Sequence, residues 1–474
     1  MKIVLFDTRQ NDAQKDFAGG MGVGMHPGAG GWKGRLIRAM YRRDYRPVAM
    51  NFAYLAAIFK QLGHEVAYQN HTRDSAEVYV FNPSLLTLSI ELEQIRQLQR
   101  RLPQTRILVA GAVAYALSDM FPGCTVLRGE PEQLLWKLDH VLHSSASTLD
   151  LGSVQDLDQL PYPDWSLFHY RRFKIKYDFW RFPTTFIQQS RGCTFKCNYC
   201  PYIMIESKTR FRDPEAVVDE IRVGVERYGF KSFKFRDPLF GLDRKRAIAV
   251  AEGILRLKQP IQFSVETRID LMRDETLQIL KQAGLTAVTV GIETPKEATL
   301  KQYRRVPIND DRQREFVAKC RNLGIRTVAG FMIGFPEDRR TDIMWVLRYA
   351  KQVNPTFANF NVVTPYPGTE FYEQVKHQIA DHDYSNYSVY HPVMKYRHLT
   401  QQQVADLHAA CFSKFYFRSR YLKENGGLLW PRLGKWIPGV YAPSTTPSTI
   451  DDENFSESAN GSDPPSARSG HRAA

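Results

Sequence analysis

Residues 184–200 read TTFIQQSRGCTFKCNYC, an apolar, β-branched strand that runs into a loop holding Cys193, Cys197 and Cys200 in a C-x3-C-x2-C spacing. Three of the chain's six cysteines therefore fall within eight positions. In parallel α/β barrels the loops at the C-terminal ends of the strands build the active site, so these thiols stand where chemistry is done. Zinc completes a tetrahedron with a fourth Cys or His, and no residue close to this loop supplies one. A [4Fe-4S] cluster ordinarily takes four thiolates, so three leave one iron open to a small molecule. On spacing alone, zinc, an ordinary structural cluster and a cluster with an open iron all remain.

Working outward, apolar strands recur at SFKFRD (232–237), IQFSVE (261–266), AVTVGIE (287–293), RTVAGFMIG (326–334) and FANFNVVTP (357–365). Helical periodicity separates them near 213–228, 243–258, 273–283, 310–323 and 340–353. With the strand before the cysteines this makes six, too few for a closed eight-stranded barrel, and a partial (β/α)6 barrel is expected. Upstream, MKIVLFD, HEVAYQ, EVYVFN, RILVAGA and CTVLRGE alternate with helical stretches at 47–62, 88–102, up to about 121 and from Pro131, the pattern of a doubly wound parallel sheet. The fold class is thus α/β. A Rossmann-like unit over 1–150 is followed by a linker over 151–180, marked by PYPDW, and a barrel over 181–375. A small, mainly helical C-terminal domain over 376–441 and a disordered Ser/Pro/Thr-rich tail over 442–474 complete it.

Composition sets the outer bounds. The chain has 474 residues, 43% hydrophobic and 24% charged, and no apolar run of the roughly 20 residues a membrane span needs. The N-terminal apolar run is too short for a signal-peptide core, so the reading is a cytoplasmic protein. Cys124, Cys320 and Cys411 are scattered among apolar or mixed segments, as buried small hydrophobes are. The net charge of +14 points to anionic partners, and residues 32–46, WKGRLIRAMYRRDYR, are the densest basic stretch. That stretch reads either as a solvated face or as a contact for phosphates, carboxylates or anionic lipid.

With Tyr199 just before the third cysteine, the triplet resembles the signature of the radical SAM superfamily. In that family the free iron is chelated by S-adenosylmethionine (SAM), which reduction cleaves to a 5'-deoxyadenosyl radical. The resemblance implies Cys193, Cys197 and Cys200 as cluster ligands. It implies Asp237, in FKFRDPLFGLD, as the contact for the SAM amino group, unless it serves as a turn or cap before Pro238. SVETRID (264–270) sets Glu266, Arg268 and Asp270 on one side of a strand and its end, with Glu266 and Arg268 toward the SAM pocket or as a structural ion pair. VGIET (290–294) resembles the family's GIE segment, with Gly291 and Glu293 near SAM or in a packing role. GFMIGFPED (330–338) and TPYPGTEFY (364–372) resemble its fifth and sixth strand ends, although Pro336-Glu337-Asp338 stands where many relatives have Pro-Gly-Glu.

Residues 47–136 resemble the cobalamin-binding domain found ahead of the barrel in the largest subgroup of this superfamily. The likeness lies in the AYLAA helix, the GHEV strand, the Gly111 turn after ILVA and the RGEPE turn. The D-x-H-x-x-G sequence that supplies a lower axial histidine in other cobalamin proteins is absent at His26, His64 and His71. AGGMGVGMHPGAGGWKG (18–34) lacks a P-loop ending and reads as a flexible loop, or as a cradle or lid over the corrin. The implied activity is a cobalamin-dependent methyltransferase, the methyl passing from SAM by way of cobalt to an unactivated carbon of a small molecule. A radical cyclase or rearrangement enzyme shares the same motifs, and a noncatalytic iron-sulfur electron-transfer protein is the reading from another class. The implied partners are a small-molecule substrate, anionic or lipid-like, and an external electron donor of flavodoxin or ferredoxin type. No nucleic-acid-binding module is visible.

Overall fold

The computed structural model describes residues 1–8, 13–15, 18–24, 47–71 and 74–425. The basic segment 32–46, His26, the later part of the glycine-rich stretch and the tail over 442–474 lie outside the described residues. One compact unit, Met1–Gly427, contains two six-stranded sheets.

The first sheet comprises β1 (Lys2–Phe6), β2 (Glu65–Gln69), β3 (Val78–Phe81), β4 (Arg106–Val109), β5 (Thr125–Gly129) and β6 (Thr148–Gly152). Its spatial order is β2-β1-β3-β4-β5-β6, parallel throughout. The chain leaves β1 toward one edge and then returns to build toward the other, so a switch point lies between β1 and β3. Ligands of open α/β sheets bind outside the strand C-termini at such a point. The interior strands read as unbroken apolar runs, Ile3 to Phe6 and Val78 to Phe81 being almost wholly buried, as strands covered on both faces must be.

The second sheet takes β7 (Thr184–Ile187), then β10 (Ser232–Phe235), β11 (Gln262–Thr267), β12 (Leu285–Glu293), β13 (Arg326–Ile333) and β14 (Phe357–Val362) in sequential, parallel order. The intervening β8 (Ser190–Arg191) and β9 (Arg210–Phe211) form a separate antiparallel pair. Helices at Pro214–Tyr228, Arg244–Leu255, Asp274–Gln282, Asp310–Asn322 and Arg340–Val353 fall where the periodicity puts them. The first is set by local chemistry. Asp213 caps it by accepting from Glu215 N at 2.8 Å, Pro214 opens it, and Gly229 ends it at φ 69°.

Residues 151–180, expected as a linker, begin with the last residues of β6 and then pack. Trp165 is 3% exposed and meets Phe173 and Phe230 edge-on, while Asp178 is fully buried with its carboxylate on Lys234 Nζ and Ser264 Oγ, both at 2.9 Å. After residue 376 the helix Gln401–Tyr416 lies on the last strand, its Tyr416 hydroxyl donating to Ala358 O at 3.0 Å. A continuous apolar cluster runs from Phe6 and Val109 in the first sheet to Tyr199, Phe335 and Val363 beside the second. The C-terminal strand ends of both sheets therefore share one core.

Candidate active site

The cysteine loop hangs from the β8/β9 hairpin, in which Arg191 pairs with Arg210. Gly192 starts it at φ 119°, where a Cβ would come within 2.5 Å of Lys208 O, so only glycine lets the two sides of the loop approach this closely. Cys193 N donates to Glu206 O at 2.9 Å, and Cys200 N donates to Cys197 O at 3.1 Å. All three thiols are free and partly buried. Burial pushes the Cys200 thiol up to about 12 and raises that of Cys193, so ligand binding must displace protons here.

Among the described residues no three His, Cys, Asp or Glu side chains converge on one metal-ion position. Zinc, with bonds of about 2.3 Å, requires such convergence. The three thiols lie on one loop, the arrangement in which they would serve as ligands to a shared cluster.

The other expected residues are brought to the same end of the second sheet. Tyr199 forms part of an aromatic wall with Tyr303 and Phe335, each 6.4 Å away between ring centroids. Its hydroxyl has no hydrogen-bond partner among the described residues, and burial holds its pKa well above the ordinary phenol range, which suits packing and not proton transfer. Arg268 stacks its guanidinium 4.1 Å above Phe195 of the cysteine loop and bonds Asp270 at 2.9 Å, while its Nη1 stays buried without a partner. Glu266 meets Arg236 at 2.7 Å and Lys234 at 3.3 Å. Burial pushes that carboxyl up, and the Arg236 and Lys234 charges outweigh it and hold the group below its ordinary range.

Of the two roles expected of Asp237, the SAM amino-group contact and a local turn or cap, the structure shows local bonds. Asp237 is fully buried, and its carboxylate accepts from Ser190 Oγ at 2.6 Å and from Gln189 N at 3.2 Å. Its place is beneath the start of the cysteine loop, where it fixes the end of β7. Burial pushes its carboxyl up to about 7.

Glu293 holds φ at 69°, rare outside glycine, at a register shift between β12 and β13. Its carboxylate lies 3.3 Å from Arg305 Nη2, which also donates to Gly291 O at 2.7 Å. A Cβ on Gly291 would stand 2.3 Å from Glu293 Oε1, so the glycine leaves space for this pair. Arg305 escaped sequence reasoning, since nothing in KQYRRVP separates it from its neighbour Arg304, which binds Glu370 at the surface.

A cleft of 220 Å³ opens between the strand ends of the two sheets. The first sheet contributes Asn82, Gly111 and Glu130 to Glu132, and the second contributes Gln188, Gly192, Met204 and Arg236. Gly111, at φ 94°, turns the chain so tightly that a Cβ would reach Asn82 Oδ1 at 2.1 Å. Gly19 and Gly20 of the glycine-rich stretch also line the cleft, with Gly19 against Pro201 and Tyr202 of the cysteine loop. No histidine is among the described lining residues, and His64 lies before β2, at the opposite end of the sheet.

Residues 187–350 match the radical SAM superfamily. An uncharacterized methyltransferase from Pyrococcus horikoshii is 27% identical over 298 residues, 61% of this chain and 63% of that protein. The anaerobic magnesium-protoporphyrin IX monomethyl ester cyclase of Cereibacter sphaeroides is 27% identical over 276 residues, 57% of this chain and 44% of the cyclase. The matches thus span less than two thirds of these relatives. Among solved structures, the cobalamin-dependent SAM radical enzyme OxsB with aqua-cobalamin and S-adenosylmethionine bound superimposes with TM-score 0.62 at 13% identity, covering 93% of this chain and 69% of OxsB. That likeness is one of fold.

Proposed function

We propose, from the match of residues 187–350 to the radical SAM superfamily, that the chain is a cobalamin-dependent radical SAM methyltransferase acting on an unactivated carbon of a small molecule. The observation that carries this reading is that residues flanking the three cysteines, Gly192 before them and Tyr202, Met204 and Ile205 after them, line a cleft together with strand-end residues of a second, Rossmann-like sheet. In this arrangement residues 1–150 are the cobalamin-binding unit and 181–375 the partial barrel. When bound, the cluster supplies the electron that cleaves SAM, and cobalamin supplies the methyl-carrying chemistry.

The chain's own residues orient and insulate. Cys193, Cys197 and Cys200 hold the cluster. Arg268, fixed by Asp270 and Phe195, offers its unpartnered Nη1 to a carboxylate such as that of SAM. Glu266 is kept ionised by Arg236 and Lys234 and serves as a fixed acceptor. Gly291 and Glu293 are joined through Arg305 at the end of β12, and Tyr199 packs in the aromatic wall with Tyr303 and Phe335. Reductant enters from an external donor of flavodoxin or ferredoxin type. No described helix is long and apolar enough to cross a membrane.

The deciding experiment is anaerobic incubation of reconstituted protein with methyl-labelled SAM, dithionite and cobalamin. Methyl transfer requires both 5'-deoxyadenosine and S-adenosylhomocysteine, with label on the corrin. The cyclase relative favours a second reading, radical cyclisation without net methyl transfer, for which 5'-deoxyadenosine alone would be formed. Cys197→Ala should abolish SAM cleavage in either case, and a variant that kept a full [4Fe-4S] spectrum with turnover would remove the three-thiolate assignment.

A further inference from the structure

The loop that carries the cysteines is closed by two strands of two residues each, a hairpin too short to be stable alone. Its cross-strand pair is moreover Arg191 opposite Arg210, two like charges whose juxtaposition opposes pairing. The compensation comes from the other sheet. Glu130 and Glu132 follow β5 in the RGEPE turn, and Arg191 reaches Glu132 at 3.0 Å and Glu130 at 3.4 Å, while Arg210 binds Glu130 at 2.7 Å.

The turn itself is rigid. Gly129 sits at φ 99° with a Cβ-excluding approach to Gly152 O, Glu130 N donates to Gly152 O at 2.9 Å, and Val154 N donates to the Glu130 carboxylate at 2.8 Å. Arg210 is further tied to Val154 O and to Glu206, the residue whose carbonyl receives Cys193 N. All four charged side chains of the bridge are at most 17% exposed, so screening by solvent is weak.

We propose that Glu130 and Glu132 are positioning residues for the cysteine loop: the Rossmann-like unit supplies the countercharge that closes the hairpin. The geometry in which the three thiolates present a cluster to SAM is therefore set from the other sheet. The inference rests on the radical SAM reading above. It implies that the two units are one catalytic device, and that the glutamates act through Arg191 and Arg210 without touching SAM.

The test uses the full chain, reconstituted anaerobically with ferrous iron and sulfide. The EPR spectrum of the reduced cluster is titrated with SAM in wild type, Glu132→Gln, Arg191→Gln and the double variant. Each single variant should need roughly tenfold more SAM for the half-maximal spectral change, because a buried ion pair that closes the hairpin is broken. The double variant should need less than the sum of the two losses predicts, since both charges of the pair have gone. A merely structural weakening would lower stability and would leave the SAM midpoint of the folded fraction unmoved. Single variants with the wild-type SAM midpoint overturn the proposal while leaving the radical SAM reading intact, whereas a wild type whose spectrum ignores SAM overturns that reading itself. If Glu132→Gln does not fold, Arg191→Lys, which keeps the charge and loses the forked contact, decides by the same titration, and an unchanged midpoint again overturns the proposal.

Discussion

At the scale of the residue, Asp237 shows how a motif position can be anchored locally. The sequence offered a carboxylate after a strand and before a proline, which is compatible with either a ligand contact or a local anchor. What decides between them is burial and the identity of the donors, Ser190 Oγ and Gln189 N, which come from a strand end far away in sequence. Burial raises the carboxyl to about 7. Since the folded-state value lies above the unfolded one of about 3.9, this group contributes stability fully below pH 4, and the contribution is lost as pH rises toward and through 7. Asp237→Asn removes the titration while keeping an acceptor oxygen. The difference in unfolding free energy between wild type and variant, measured with urea at pH 5 and pH 8, should move in the variant's favour at pH 8, by an amount on the order of 2–3 kcal/mol at most. A pH-independent difference would mean that Asp237 is ionised in the fold. The three cysteines, by contrast, were legible because spacing along one loop already fixes their neighbourhood. Arg305 was not, because its partners Glu293 and Gly291 meet it only through the turn after β12.

At the scale of the element, periodicity located the strands and helices of the second sheet closely, because each is long enough to display its period. It failed where elements are short or polar. The β8/β9 pair has two residues on each side and no pattern to show, and β6, TLDLG, is an edge strand with a single buried residue. The stretch 151–180 read as a linker because Pro and Asp punctuate it, yet its aromatic side chains are the packed feature. Trp165 stands edge-on to Phe168, Phe173 and Phe230 with centroids 6.1–6.2 Å apart, so it ties this segment to the strand-and-helix layer beside it. Trp165→Ala should cost about 3–5 kcal/mol, the range for emptying a large aromatic site. Urea unfolding with an unchanged dependence on denaturant would report it, and a loss below about 1 kcal/mol would return the segment to the status of a tether.

At the scale of the whole molecule, the C-terminal strand ends of the two parallel sheets line one cleft, and one apolar cluster takes residues from both sheets. The alternation of strands and helices made both sheets readable, but nothing in either half of the sequence states that they face each other. That follows from residues such as Tyr199 and Val109 entering the same core. The cleft also has a chemical consequence for cobalamin. Its described walls hold no imidazole, so a corrin held by these residues would take no histidine nitrogen from them. Protein reconstituted with hydroxocobalamin should retain it through gel filtration. After one-electron reduction, the cobalt EPR spectrum should be the same whether the protein's histidines carry 14N or 15N. A change in hyperfine splitting on histidine labelling would place an imidazole on cobalt and require a residue outside the described walls to enter the cleft. A protein that stays colourless while turning over SAM would instead leave the first sheet as a brace for the cysteine loop alone.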